Sequence, residues 1–271
     1  MIHLIIKLCA RKRSLITRGG EGDNFGKIDA RCNGRRQSPI RLETKTAVRR
    51  TVPQPLILEG YAENATQVVV TNDGQTARYT FQYANNRTVI ARGGPLQGSY
   101  RFDSLEFHWG SDSSRGSEHV MDNRSYPMSI QLTFYNQNTF EEAENQTYGL
   151  AVLGLFFVVV DRDPNYRWID ALFQVQDAPS SYTLPDPTAF NIAQLIGSRR
   201  LPYFSYQGSL TTPPCYETVT WILQKRTLNI SENQLNAFRS LKQTNGQPLV
   251  NNYRNPQPLN GRQVDLYRCT Y

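Results

Sequence analysis

From Pro53 onward the chain is built of short apolar–polar alternations, broken every few residues by glycine, proline, asparagine or aspartate. Alternation with period two sends successive side chains to opposite faces, the pattern of a half-buried strand. QVVVT (67–71) runs into Asn72-Asp73-Gly74, a strong hairpin turn, and RYTFQYA (78–84) follows. TVIARGG (88–94), SLEFHWG (104–110), SIQLTFYN (129–136) and VTWILQK (219–225) continue the series. In SLEFHWG, Leu105, Phe107 and Trp109 share one face, and Glu106 and His108 share the other. LAVLGLFFVVV (150–160) is apolar throughout and is bounded by Gly149 and Asp161, which predicts a strand buried on both faces. Helical spacing is rarer. It appears over WIDALFQVQ (168–176) and SENQLNAFRSLKQ (231–243). The second opens on a capping signature, Ser231 with Gln234 three residues on, and aligns Leu235, Phe238 and Leu241.

These elements predict one mainly β domain with a few surface helices. A length of 271 residues suits a single all-β unit, and neither a repeat period nor an internal linker divides the body. The content of Gly (18), Pro (15) and Tyr (15) agrees with a turn-rich sheet rather than a helical bundle. The apolar run at 150–160 is too short to cross a membrane as a helix, which leaves no transmembrane segment.

Charge is uneven. Residues 1–50 hold 13 Lys and Arg against 4 Asp and Glu, whereas the rest of the chain holds 17 against 19. The net charge of +7 therefore belongs to the N-terminal region, and residues 1–31 read as a solvated basic leader. Arg35, Arg36, Arg49 and Arg50 extend that character and suit an anionic polysaccharide. Nucleic acid has no motif behind it beyond charge. The opening MIHLIIKLCARKRS is a poor secretory signal: its apolar stretch is short, Lys7 interrupts it, and the basic cluster follows it. Two features nonetheless point to a secreted or extracellular protein. Five Asn-X-Ser/Thr sequons begin at Asn64, Asn86, Asn123, Asn145 and Asn229. Four cysteines, Cys9, Cys32, Cys215 and Cys269, contain no CxxC pair and allow three pairings.

Six blocks then occur in order: QSPI (37–40), GGPLQGSYRFDSLEFHWG (93–110), RGSEHVMD (115–122), YGLAVLGLF (148–156), YQGSLTTPPCYETVTWIL (206–223) and NNYRNPQPLNGRQV (251–264). Together they resemble the α-class carbonic anhydrases, over residues 32–265, with residues 266–271 as a tail. The tryptophan-bearing segment that precedes QSPI in that family has no counterpart, because Trp109, Trp168 and Trp221 all lie later. The resemblance implies a single domain around a large, twisted, mostly antiparallel sheet with a conical cavity.

In that family three histidines hold zinc. Two are alternate residues of one strand, spelled HFHW, and the third lies on the next strand in a pattern like E-L-H-L. The resemblance places Glu106, His108 and Gln131 at those three positions, so one imidazole of three is present. Ser129 takes the place of the carboxylate that orients the third histidine. Thr211 and Glu118 match the pair that orients the zinc-bound hydroxide, and Gln75 takes the proton-shuttle position. Thr133, Val152, Leu210, Val219 and Trp221 match the cavity wall, and Cys32 and Cys215 match the disulfide of extracellular members. His119 matches a structural histidine. The resemblance is thus to the acatalytic carbonic anhydrase-related proteins, which implies a binding or structural module with no cofactor. The alternative is a weak or altered-metal carbonic anhydrase or an esterase, in which Glu106 and His108 would serve zinc or another metal.

Overall fold

A computed structural model describes residues 24–51, 55–162, 164–196 and 201–268. The strands are β1 (Arg41–Leu42), β2 (Val48–Arg50), β3 (Ile57–Glu59), β4 (Gln67–Asn72), β5 (Ala77–Gln82), β6 (Ile90–Arg92) and β7 (Ser99–Trp109). After these come β8 (Val120–Met121), β9 (Met128–Tyr135), β10 (Leu150–Val160), β11 (Ser180–Thr183), β12 (Tyr203–Gly208), β13 (Val219–Ser231) and β14 (Asp265–Tyr267). Among the described residues three short α-helices accompany them: α1 (Phe25–Ile28), α2 (Phe140–Ala143) and α3 (Glu232–Arg239).

Twelve strands form one sheet, whose main path runs β11-β4-β5-β7-β9-β10-β13-β12-β14-β2, with β6 also on β7 and β3 on β6. Most neighbours are antiparallel; β10 with β13 and β14 with β2 are parallel. The Asn72-Asp73-Gly74 turn closes the β4–β5 hairpin, and Gly74 there takes a φ of 85°, a conformation only glycine adopts without strain. This is the mainly β, single-domain architecture expected from the alternation.

The sheet separates two apolar clusters. Leu105, Phe107 and Trp109 of β7 pack on one face with Trp168 and Phe238; the Phe107 and Phe238 rings lie 4.9 Å apart. Val152, Phe156, Tyr206, Val219 and Trp221 pack on the other face with Ile40 and Leu42. β10 supplies both clusters, Leu153, Leu155 and Phe157 to one and Leu150, Val152 and Phe156 to the other. That two-sided burial is why its sequence does not alternate.

One expectation needs correction. The segment 168–176 is not an α-helix: residues Arg167–Gln174 form a 3-10 helix. Asn72 Nδ2 captures the carbonyls of Val175 and Gln176, drawing the chain away toward β4. Elements also lie on either side of residues 32–265. Phe25 is buried against Cys32 and Cys215, and β14 reaches Tyr267 because it pairs with β12 and β2. At 231–243, α3 has the predicted capping box, with Ser231 and Gln234 each bonding the other's backbone, and ends at Arg239.

Candidate functional site

Strand register assembles the site. Glu106 of β7 lies directly opposite Gln131 of β9 on one side and Arg78 of β5 on the other. His108, two residues along, lies opposite Ser129. These polar side chains therefore share the face of β7 that its apolar residues leave. The three positions singled out in the sequence, Glu106, His108 and Gln131, do converge.

Each is already engaged. Arg78 Nη2 forms an ion pair with Glu106 Oε1, and Arg78 also reaches Asp103 at 3.8 Å and donates to Ser104 Oγ at 3.2 Å. Burial opposes the charge on Arg78, but Glu106, Asp103 and Asp73 outweigh it and raise its pKa above the ordinary value. Gln131 donates from Nε2 to Glu118 Oε2 at 2.5 Å, and the backbone N–H of Arg254 donates to Glu118 Oε1 at 2.9 Å. His108 Nδ1 lies 2.7 Å from the carbonyl oxygen of Asn252 and 3.8 Å from Glu118 Oε1. Its Nε2 has no partner among the described residues.

Above this floor the cavity has two lobes, and Glu106, Thr211 and Thr212 border both. Gln75, His108 and Glu118 line the inner lobe. Thr133, Val152, Leu210 and Trp221 line the outer lobe. Val219 lies behind that wall, fully buried, in register with Leu150 and Gly208. Thr211 and Glu118 share the inner lobe, yet no hydrogen bond joins them among the described residues; Glu118 accepts instead from Gln131 and from the Arg254 N–H.

This donor set does not fit zinc. A tetrahedral catalytic site needs three thiolate, imidazole or carboxylate ligands that converge with free lone pairs, and a neutral amide suits harder cations. Here a single imidazole nitrogen qualifies, one oxygen of the carboxylate is bound to a guanidinium, and the amide is turned to a neighbouring glutamate. Among the described residues, no three His, Cys, Asp or Glu side chains gather as a metal-holding group.

His119 is buried elsewhere. Its Nε2 lies 2.7 Å from the Tyr206 hydroxyl, which itself donates to Ser38 Oγ at 2.8 Å, so Nε2–H is the donor in that chain. Burial, reinforced by the neighbouring His108 and Arg262 side chains, lowers its pKa to about 3 and keeps the ring neutral. Cys32 and Cys215 form a disulfide beside the cavity. Arg254 reinforces that closure: Nη1 donates to Gln37 Oε1 and the Ser38 carbonyl, and Nη2 to the Cys32 carbonyl. Cys9, Cys269 and His3 lie outside the described residues.

All five sequon asparagines are exposed. Of the four arginines offered for an anionic polysaccharide, Arg36 pairs with Glu217 and Arg50 with Asp265, whereas Arg35 and Arg49 are exposed without an ion pair among the described residues. No helix among the described residues is long and apolar enough to cross a membrane.

Three contributors were missed in the sequence. Arg78 opens RYTFQYA, and a charge within a half-buried strand needs a partner, which the sequence does not name. Asn252 and Arg254 lie in NNYRNPQPLNGRQV, whose loop gives no periodic signal of where its side chains point.

The profile of the eukaryotic-type carbonic anhydrases matches residues 21–268. Carbonic anhydrase 7 of Mus musculus is 39% identical over 89% of this chain and 92% of its own length. Carbonic anhydrase 7 of Homo sapiens is 40% identical over 86% and 89%, and human carbonic anhydrase 3 is 35% identical over 89% and 93%.

Proposed function

The chain belongs to the eukaryotic-type carbonic anhydrase family, and on that premise we propose that it does not hydrate CO₂ through zinc but acts as an extracellular binding module. In the family's chemistry, three imidazoles hold zinc with one position open, and the water bound there ionises near neutral pH. The observation that carries our reading is that both replaced positions are locked to new partners. Glu106 is neutralised by Arg78, and Gln131 is bonded to Glu118. A metal on Glu106 would compete with Arg78 for the same carboxylate and place its charge beside a guanidinium, which is costly in a partly buried site. No hydrogen bond joins Glu118 to Thr211 among the described residues, and Glu118 accepts from Gln131 instead, so the orienting pair is not connected. At the shuttle position Gln75 has no group that titrates near neutral pH.

The disulfide and the exposed sequons support an oxidising, secretory route for the chain. The test of function is CO₂ hydration by the purified full chain with zinc supplied. We expect no acceleration over the uncatalysed rate, and fast hydration that Glu106→Ala or His108→Ala abolishes would establish the enzymatic alternative instead. Arg35 and Arg49 support a secondary role with an anionic polysaccharide. Retention on heparin that is unchanged in R35A/R49A would remove that role from the described fold.

A further inference from the structure

His108 is 3% exposed, and its Nε2 has no partner among the described residues. A carbonyl only accepts, so the 2.7 Å contact with Asn252 fixes the proton on Nδ1. In the neutral ring Nε2 is therefore a lone pair. Gln75 lines the same inner lobe, and its Oε1 is also buried without a partner. Two residues that line one lobe thus each carry an acceptor without a partner among the described residues, an arrangement that favours a bound donor.

The charge around that space has a definite sign. Asp103, Glu106, Glu118, Glu141 and Glu144 line the two lobes, against Arg78 and Arg254. Both guanidiniums are turned into the protein, Arg78 to Glu106 and Arg254 to Gln37 and backbone carbonyls. The cavity is therefore acidic in a chain whose net charge is +7. Such a cleft concentrates cations and repels anions. The outer lobe adds an apolar wall of Val152, Leu210 and Trp221.

We propose that the cavity binds a protonated primary amine with a short apolar tail. The ammonium N–H groups donate to His108 Nε2 and Gln75 Oε1, the carboxylates supply the field, and the tail lies along the Val152–Leu210–Trp221 wall. Water also donates hydrogen bonds, but it uses neither the field nor the wall. This inference rests on the reading of the cavity as free of zinc.

The test uses the purified full chain, assayed first for bound zinc and then titrated with n-butylammonium chloride. The readouts are calorimetry and the ¹⁵N resonance of His108 Nε2. Tetramethylammonium, which has the charge but no N–H, and 1-butanol, which has the tail but no charge, are the comparators. We expect saturable binding of butylammonium that shifts the Nε2 resonance, at least tenfold weaker binding of both comparators, and at least tenfold weakening in His108→Leu. No saturable binding, an unmoved Nε2 resonance, or equal binding of tetramethylammonium would overturn the inference, and the comparators decide it even if the variant fails to fold. Metal-free protein that ignores the amine defeats this inference alone. One zinc per chain in the same preparation defeats the functional reading together with it.

Discussion

The two faces of β7 follow different rules. One face carries Leu105, Phe107 and Trp109 into a packed aromatic cluster with Trp168 and Phe238. The other carries Ser104, Glu106 and His108 to the floor of a cavity. Stability on the first face comes from shape and apolar area, where any well-fitting hydrophobe serves. Order on the second comes from specific pairs, where removing one partner strands the other. A family scaffold can therefore keep its fold while its site changes chemistry, provided the altered residues find each other.

The largest effect should fall on the packed face. Phe107→Ala should cost about 4 kcal/mol in a denaturant titration, as expected for a fully buried aromatic; a loss below about 1 kcal/mol would erase the contrast. On the cavity side, removing the Cys32–Cys215 crosslink with paired serines should cost about 3 kcal/mol, because it closes a loop of 183 residues. Calorimetry would detect this as a lowered melting temperature. Glu106→Ala should cost about 2 kcal/mol by leaving Arg78 without its main partner, less than for a fully buried pair since the side chains are 21% and 16% exposed. The double change R78M/E106L should recover most of that loss, to within about 1 kcal/mol of the parent. Recovery would show that the pair orders the floor without being needed for the fold.

His119 provides a pH test of the cavity-side scaffold. The unfolded chain takes up its proton near 6.5, while the buried ring resists down to about 3. The unfolded state binds more protons across that window, so stability from His119 is complete above about 6.5 and is lost as pH falls toward 3. The slope is about 1.4 kcal/mol per pH unit. His119→Gln should flatten this slope, and an unchanged slope in unfolding titrations from pH 6 to 4 would show that other groups carry it.

The same contrast governs what could be read from the sequence. The packed face was legible from residue type alone: alternation located β4, β5, β7 and β9, and the unbroken apolar run located β10 from Leu150 to Val160. The cavity was legible only through family motifs, which identified Glu106, His108 and Gln131 but not what holds them. Arg78 is brought beside Glu106 by strand pairing, and Asn252 and Arg254 arrive from a loop more than 130 residues away in sequence. Local periodicity carries no information about such long-range register. The segment 168–176 misled for a related reason: its apolar spacing suits a helix, but Asn72 takes its last carbonyls.

The central claim is that residues 106 and 131 decide whether this socket holds zinc. Zinc content of the parent chain and of E106H/Q131H, measured by elemental analysis after equilibration in the same zinc-buffered solution, tests it directly. The account predicts well under a tenth of an equivalent in the parent and a marked gain in the variant, which restores three imidazoles to the cavity floor. One zinc per chain in the parent would contradict it.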